Sequence, residues 1–249
     1  MPICLNTLSS ALPGLSQQQI ECIQSIACRL TTPGTYWRNP VSDIVSEDFL
    51  EAFGDILRIH HCLSKDAFSK DKFEYAMEQA LSRCGVSAKL ADKCNPGHDI
   101  TIMGIPVSLK TQADRSLKVD KVHISKFMEL GKGVWGDKVE DLHGLRDSFF
   151  RHMAAYQRIF TLRTLSRTPK DWHYELVEIP KSLLQKAANG SFEMCNDSTQ
   201  FPKPGYCRVF EDGELVFELY FDGGGERKLQ IKNLRKGLCT VHGEWKFAC

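Results

Sequence analysis

The sequence predicts an α/β protein: helices first, a hairpin at the centre, and a β-rich end. Three observations predict this class. Apolar residues recur at helical spacing up to about residue 84. A turn and a spacing-two alternation follow in Asn95-Pro-Gly-His-Asp-Ile-Thr-Ile-Met-Gly-Ile-Pro-Val-Ser-Leu-Lys110. From Ser191 onward, short alternating runs are separated by Asp-Gly and Gly-Gly turns.

Residues 14–30 form an amphipathic helix, with Ser16 as N-cap and Ile20, Ile23, Ala27 and Leu30 as its apolar stripe. Residues 31–40 read as a loop. Ser46 caps a second helix running to about His61, and a third runs from about Lys65 to Cys84, stopped by Gly85. In the hairpin, Ile100, Ile102, Val107 and Leu109 take one face, and Met103-Gly-Ile-Pro106 turns the chain. Asp99, Thr101, Ser108 and Lys110 fall on the opposite, open face. A polar link covers 113–120, and Val122–Leu130 reads as a short helix or a strand-helix piece closed by Gly131-Lys-Gly133. Helical spacing resumes over 139–157. Strands follow at 158–165 and 174–179, then a helix opened by Pro180. The last strands are Tyr206–Phe210, Leu215–Tyr220, Lys228–Ile231 and Cys239–Phe247.

A chain of 249 residues buries a full core. No repeat or low-complexity linker divides it, so a single domain is expected, with a helical part to about residue 64, a core at 65–190 and a β-rich part at 191–249. No apolar run reaches the roughly 18 residues that span a bilayer, and the N-terminus lacks a secretory n-region. A cytoplasmic protein with reduced thiols is therefore expected, its ten cysteines lacking zinc spacing. A net charge of +1 excludes a global basic field, so nucleic-acid binding requires local clusters. One such cluster spans Arg227 to Lys246, with six Lys or Arg against one acid. Alternation there puts Lys228, Gln230 and Lys232 on one face, and Arg227, Leu229, Ile231 and Asn233 on the other. Trp135, Trp172 and Trp245 read as packing residues.

Phosphodiester hydrolysis requires charge neutralisation and an activated water. A divalent cation held by hard oxygen ligands supplies both, and a lysine stabilises the added charge. Asp99, the Leu109 carbonyl and Lys110 supply those groups from adjacent strands. By themselves an Asp and a Lys across a hairpin are more often an exposed cross-strand pair, worth roughly a few tenths of a kcal/mol.

Gly-His-Asp99, Ser108-Leu-Lys110 and an upstream Phe73-Glu74 together resemble the PD-(D/E)xK nuclease superfamily. A longer ordered series resembles SmaI-type restriction endonucleases: Asn95-Pro-Gly-His-Asp-Ile-Thr-Ile102, Leu109-Lys-Thr111, Ser125-Lys126, Met128-Glu-Leu-Gly-Lys-Gly133, Leu176-Val-Glu-Ile-Pro-Lys181, Pro202-Lys-Pro-Gly-Tyr206, Leu219-Tyr-Phe-Asp-Gly-Gly224, Glu226-Arg-Lys-Leu-Gln-Ile-Lys232 and Val241-His-Gly243. It covers the chain from about residue 45.

The resemblance implies a PD-(D/E)xK core, a mixed central sheet flanked by helices. It also implies a Mg²⁺-dependent type II restriction endonuclease acting on double-stranded DNA. Such an enzyme cuts both strands of CCCGGG at its centre, leaving blunt ends with 5′-phosphates. It works as a homodimer beside a cognate DNA methyltransferase. By position, Asp99 becomes the metal carboxylate, Lys110 the catalytic lysine, and Glu74 a second acid. Two positions depart from the pattern. His98 stands where a Pro is usual, and Ser108 where an acid is usual, so Glu74, Glu78 or Glu129 is needed as a further ligand or one metal suffices.

Guanines are best read by Arg or Lys, and cytosine N4 by an acid. The expected DNA contacts are therefore Lys126 and Glu129, presented together if that stretch is helical, and Arg227, Lys228, Gln230, Lys232, Asn233, Arg235 and His242. Ser125 and Lys132 flank the first pair. Two other readings remain open on the residues: a structure-specific repair or recombination nuclease, and a non-catalytic DNA-binding protein.

Overall fold

The computed structural model describes residues 9–92, 97–131 and 135–248. Asn95, Pro96 and Lys132 lie outside them. Helix α1 (Gln17–Thr31) begins with a capping box in which Ser16 and Gln19 satisfy each other's amides. Ser46 caps α2 (Glu47–Leu63), its hydroxyl accepting from the Phe49 amide at 3.1 Å. The third helix, α3 (Lys70–Arg83), starts five residues later than the spacing predicts, because Ser69 is its N-cap. Gly85 stops it with φ of 74°, a conformation that suits glycine.

Strands β1 (Gly34–Arg38), β2 (Ala88–Leu90), β3 (Ile100–Ile102), β4 (Ile105–Gln112), β6 (Arg158–Thr168), β7 (Asp171–Glu178) and β12 (Thr240–Phe247) form one seven-stranded sheet, in the order β1-β12-β7-β6-β4-β3-β2. Only β4 and β6 pair in parallel. Their crossover runs through β5 (Lys121–Glu129) and α4 (Val139–Ala154). A five-stranded antiparallel sheet contains β5, β11 (Lys228–Arg235), β10 (Glu214–Asp222), β9 (Gly205–Glu211) and β8 (Ser191–Met194), in that order. A short helix α5 (Lys181–Gln185) precedes it, with Pro180 at the N-cap.

Several expectations shift. The 31–40 loop contains β1, which pairs with β12 some 200 residues away, Tyr36 opposite Trp245. The stretch read as a helix or strand-helix piece is the strand β5, with Val122 and Ile124 buried against the second sheet. The hairpin turn is two residues, Met103 and Gly104, both at positive φ, and Ile105 and Pro106 already belong to β4. The C-terminal strand β12 completes the first sheet and the central strand β5 the second, so the sheets cross the sequence boundaries at 190.

One face of the first sheet is apolar. Val107, Leu109, Phe160, Leu162, Leu176 and Trp245 pack there against Phe53, Leu57, Phe73 and Met77 of α2 and α3. The other face has Ile159 and Val177 against α4 and the second sheet. Toward β4 that same face becomes a buried polar row: Ser108, Lys110, Gln112, Thr161, Arg163 and Glu175. Arg163 is fully buried, ion-paired to Glu175, and donates to Gln112 Oε1 at 2.8 Å and to the Lys118 and Lys121 carbonyls at 2.8 and 2.7 Å. Lys236 reaches Glu175 at 2.9 Å. Buried charges persist only when saturated in this way.

Candidate active site

The site forms where β3 begins and exposes one flank of β4. The Asp99 amide donates to the Val107 carbonyl at 3.0 Å, closing the last rung of the hairpin. The next outward-pointing amide on that flank, Leu109 N–H, finds no strand partner and donates to Asp99 Oδ2 at 2.6 Å. Ser108 Oγ donates to the same oxygen at 3.1 Å. A residue's N–H and C=O leave a strand on the same side, so the Leu109 carbonyl points to the flank where Asp99 lies. Ser108, at the position where an acid was expected, thus donates a hydrogen bond to the carboxylate.

Asp99 Oδ1 faces α3. There Lys70 Nζ lies 2.7 Å from Asp99 Oδ1 and 2.9 Å from Glu74 Oε1. Helical spacing of four stacks Lys70 under Glu74, while Phe73, fully buried, anchors that turn in the core. Two carboxylates thus converge on one cationic point. Burial pushes the Asp99 carboxyl up, but Lys110, Lys70 and the Leu109 amide outweigh it and hold it below the usual range. Burial raises Glu74, against its bond to Lys70 and with help from the Asp99 charge.

Lys110 does not stand on an open hairpin face. It is 7% exposed, because β5 and α4 cover that side of β4. Its Nζ lies 5.4 Å from the centre of the Phe127 ring. Desolvation brings its pKa down to about 8, against the pull of Asp99. His152 packs edge-on to Phe127 and Tyr156. Burial and the Lys110 charge lower the His152 pKa to about 4, leaving a neutral imidazole at pH 7. His152 Nε2, Tyr156 Oη and Thr161 Oγ1 are buried with no hydrogen-bond partner among the described residues. His98 bonds Thr101 Oγ1 at 3.0 Å. Lys70, His152 and Tyr156 are absent from the sequence expectations. Lys70 was legible as an i,i+4 partner of Glu74, but nothing in the sequence points His152 or Tyr156 at Lys110.

Strand β11 presents Lys228, Gln230 and Lys232 on one face and buries Leu229 and Ile231 on the other. Asn233 leaves the apolar face, because a bulge between Ile231 and Leu234 and a φ of 53° rotate it outward. Lys232 Nζ sits 3.5 Å from the Tyr220 ring centre, beside Tyr206. Gln230 donates to Asp222 at 3.0 Å, and Asn233 to Glu218 at 2.6 Å. Lys126 contacts Glu129 at 2.9 Å from within a strand, not a helix, and Glu226 at 3.7 Å. Lys228 meets Glu226 at 3.0 Å and Arg235 meets Glu214 at 2.7 Å. The cluster that is basic in sequence is therefore interleaved in space with acids of neighbouring strands. Arg227 lies at the Gly223–Gly225 turn with φ of 41°. That turn's tight glycine serves an internal contact: a Cβ on Gly223 would stand 1.9 Å from the Pro202 carbonyl oxygen.

His242 is placed apart from both groups. It is 3% exposed, with Nδ1 bonded to Ser42 Oγ at 2.8 Å and Nε2 to Glu178 at 2.9 Å. Both ring nitrogens are used internally, so it has no atom left for a base. Burial pushes Glu178 up, but Arg158 and His242 bring it to about 2.

No helix among the described residues is long and apolar enough to cross a membrane. No solved structure matches the chain. It is 48% identical over 207 residues, 82% of each chain, to the type II restriction enzyme SmaI of Serratia marcescens. The family model for SmaI, type II site-specific deoxyribonuclease, matches residues 8–247. With a paired-carboxylate site beside a buried lysine and a match over nearly its whole length, the chain belongs to the SmaI family of type II site-specific deoxyribonucleases.

Proposed function

We propose that this restriction endonuclease is a Mg²⁺-dependent enzyme with PD-(D/E)xK chemistry, and that it cuts both strands of CCCGGG at the centre to leave blunt ends with 5′-phosphates. The observation that carries the reading is the convergence of Asp99 Oδ1 and Glu74 Oε1 on one point, on the flank of β4 toward which the Leu109 carbonyl is directed. The donor set is all hard oxygen, which suits Mg²⁺. Asp99, Glu74 and the Leu109 carbonyl would hold the ion. When bound, it supplies charge neutralisation at the phosphate and a lowered pKa for water.

The chain's own groups do the rest. Leu109 N–H and Ser108 Oγ fix the Asp99 carboxylate before substrate arrives, so its reorganisation is small during reaction. Lys110, brought to about 8, is mostly protonated at pH 7 yet close enough to neutrality to exchange a proton with the attacking water. Its ammonium form faces the charge that develops on the phosphate. Water oxygen bonds to phosphorus, the bond to the 3′ oxygen breaks, and that oxygen leaves with a proton as a hydroxyl.

On the second sheet, Lys228, Gln230 and Lys232 read the guanine edges, with Lys126, Glu129, Arg227, Asn233 and Arg235 around them. The acid partners of Lys228, Gln230, Lys126, Asn233 and Arg235 and the tyrosine rings beneath Lys232 hold these side chains in register until DNA exchanges for those contacts. A palindromic target with one site per strand calls for a homodimer with two-fold symmetry, and a cognate methyltransferase to protect host DNA. The whole chain acts as one domain. Digestion of plasmids with and without CCCGGG, followed by end sequencing, tests the reading. Cutting is expected only at that site and only with divalent metal, and Asp99→Asn is expected to abolish it without loss of fold. Preferential cutting of a branched junction lacking CCCGGG would overturn the site-specific reading.

A further inference from the structure

Lys70 has no part in the chemistry described above, yet it occupies the centre of the site. Its position is unusual on three counts. It stands at the first position of α3, directly after the N-cap Ser69, where the helix dipole disfavours a positive charge. It is only partly exposed, and burial opposes its charge, although Asp99 and Glu74 more than compensate. The cleft around it carries Asp71, Glu74, Asp92 and Asp99, and Lys70 is the one Lys or Arg lining that cleft among the described residues. A lysine held there against the helix dipole is held by the two carboxylates.

Its ammonium touches both oxygens that the proposed metal would need. An ammonium and a hard cation cannot share them, because each requires the same lone pairs at roughly 2–3 Å. We propose that Lys70 is a built-in place-holder: its ammonium occupies the point between Asp99 and Glu74 that the divalent cation takes, and metal loading must displace it. The Lys70 side chain, 42% exposed, has open solvent to move into. The inference rests on the reading of Asp99 and Glu74 as metal ligands. It adds that the ammonium offsets the charge of two half-buried carboxylates before the metal arrives, so they do not repel each other unscreened in the metal-free protein, and that metal affinity is held down as a result.

Mn²⁺ binding to the DNA-free protein, followed by the electron paramagnetic resonance of the free ion, tests this without any cleavage step. Lys70→Ala and Lys70→Gln are expected to bind Mn²⁺ at least about tenfold more tightly than the wild type. Lys72→Ala, which removes the same charge two residues along the same helix, is expected to stay within about twofold. Tighter binding in Lys72→Ala equal to that in the Lys70 variants would reduce the effect to net charge and overturn the place-holder. Unchanged or weaker binding in both Lys70 variants would also overturn it. Adding Asp99→Asn to Lys70→Ala separates the two levels of the argument. If the double variant loses the ion, the metal reading stands and the Lys70 comparison decides the proposal alone. If it keeps the ion, the assignment of Asp99 itself has failed, and the place-holder with it.

Discussion

Lys110→Met should make the protein more stable and catalytically dead, and the size of the gain follows from the site. Lys110 is 7% exposed, and burial brings its pKa from 10.5 to about 8 despite the attraction of Asp99. Because that attraction is already included, the depression measures the net penalty of keeping the charge in the folded state. It corresponds to about 3 kcal/mol, an upper bound since a shorter-range relaxation of the site reduces it. Met preserves the apolar stem against Phe127 and removes the charge, so a gain of about 1–3 kcal/mol is expected at pH 7. The sign follows from proton uptake. With the folded pKa below the unfolded one, the unfolded chain binds more protons between about pH 8 and pH 10.5. Wild-type stability therefore rises through that window as the penalty is relieved, and it is lost again as pH falls through about 8. The gain of Lys110→Met over wild type should be full below pH 8 and fade to nothing above pH 10.5. Urea denaturation of both proteins across this range measures it, with plasmid cleavage expected to fall at least about a thousandfold. A variant less stable than wild type at pH 7, or a difference that does not change with pH, would refute the reasoning.

Other expectations follow from single contacts. Arg163→Met leaves Glu175 fully buried with Lys236 as its remaining cation, so stability should drop by about 3–5 kcal/mol in thermal or chemical denaturation. Lys232→Ala should weaken binding to a CCCGGG duplex by roughly tenfold, measured without cleavage by titration of a labelled duplex, and should lessen the salt dependence. His242→Ala should lower the melting temperature, since it removes one buried bond each from Ser42 and Glu178 and leaves Glu178 to Arg158 alone, while DNA affinity stays within about twofold; a large loss of affinity with an unchanged melting temperature would return His242 to the DNA face.

The hairpin shows how far local sequence carries. Alternation put Leu109 in the core and Lys110 on the opposite face, and a pleated strand leaves no other arrangement. The same alternation put Lys228, Gln230 and Lys232 together, and Ser16 and Ser46 marked their helix starts because an N-cap bond is made within three residues. Where the governing partner is distant, sequence reasoning stopped. Strand β1 exists because β12 offers it an edge, and β5 is a strand because β11 pairs with it. Asn233 left its predicted face at a bulge between Ile231 and Leu234, visible only in the register with the neighbouring strand.

For the site, the residue types left a surface pair and a hydrolytic centre both open: a carboxylate and a lysine on adjacent strands, with a second acid on the preceding helix; the ordered series of stretches along the chain pointed to the chemistry class. Whether Lys110 was solvated or buried was not decided by its own strand. The covering of that face by Phe127 and α4 decided it, and with it the depressed pKa. Nor did sequence decide the partner of Asp99. A salt bridge to Lys110 fits the hairpin pattern, but α3 delivers Lys70 to the carboxylate at 2.7 Å, while Ser108 and the Leu109 amide take its other oxygen. Spacing along one element is local and is written in the sequence. Which element covers which, and so the dielectric and the charge around each group, arises only when distant segments pack.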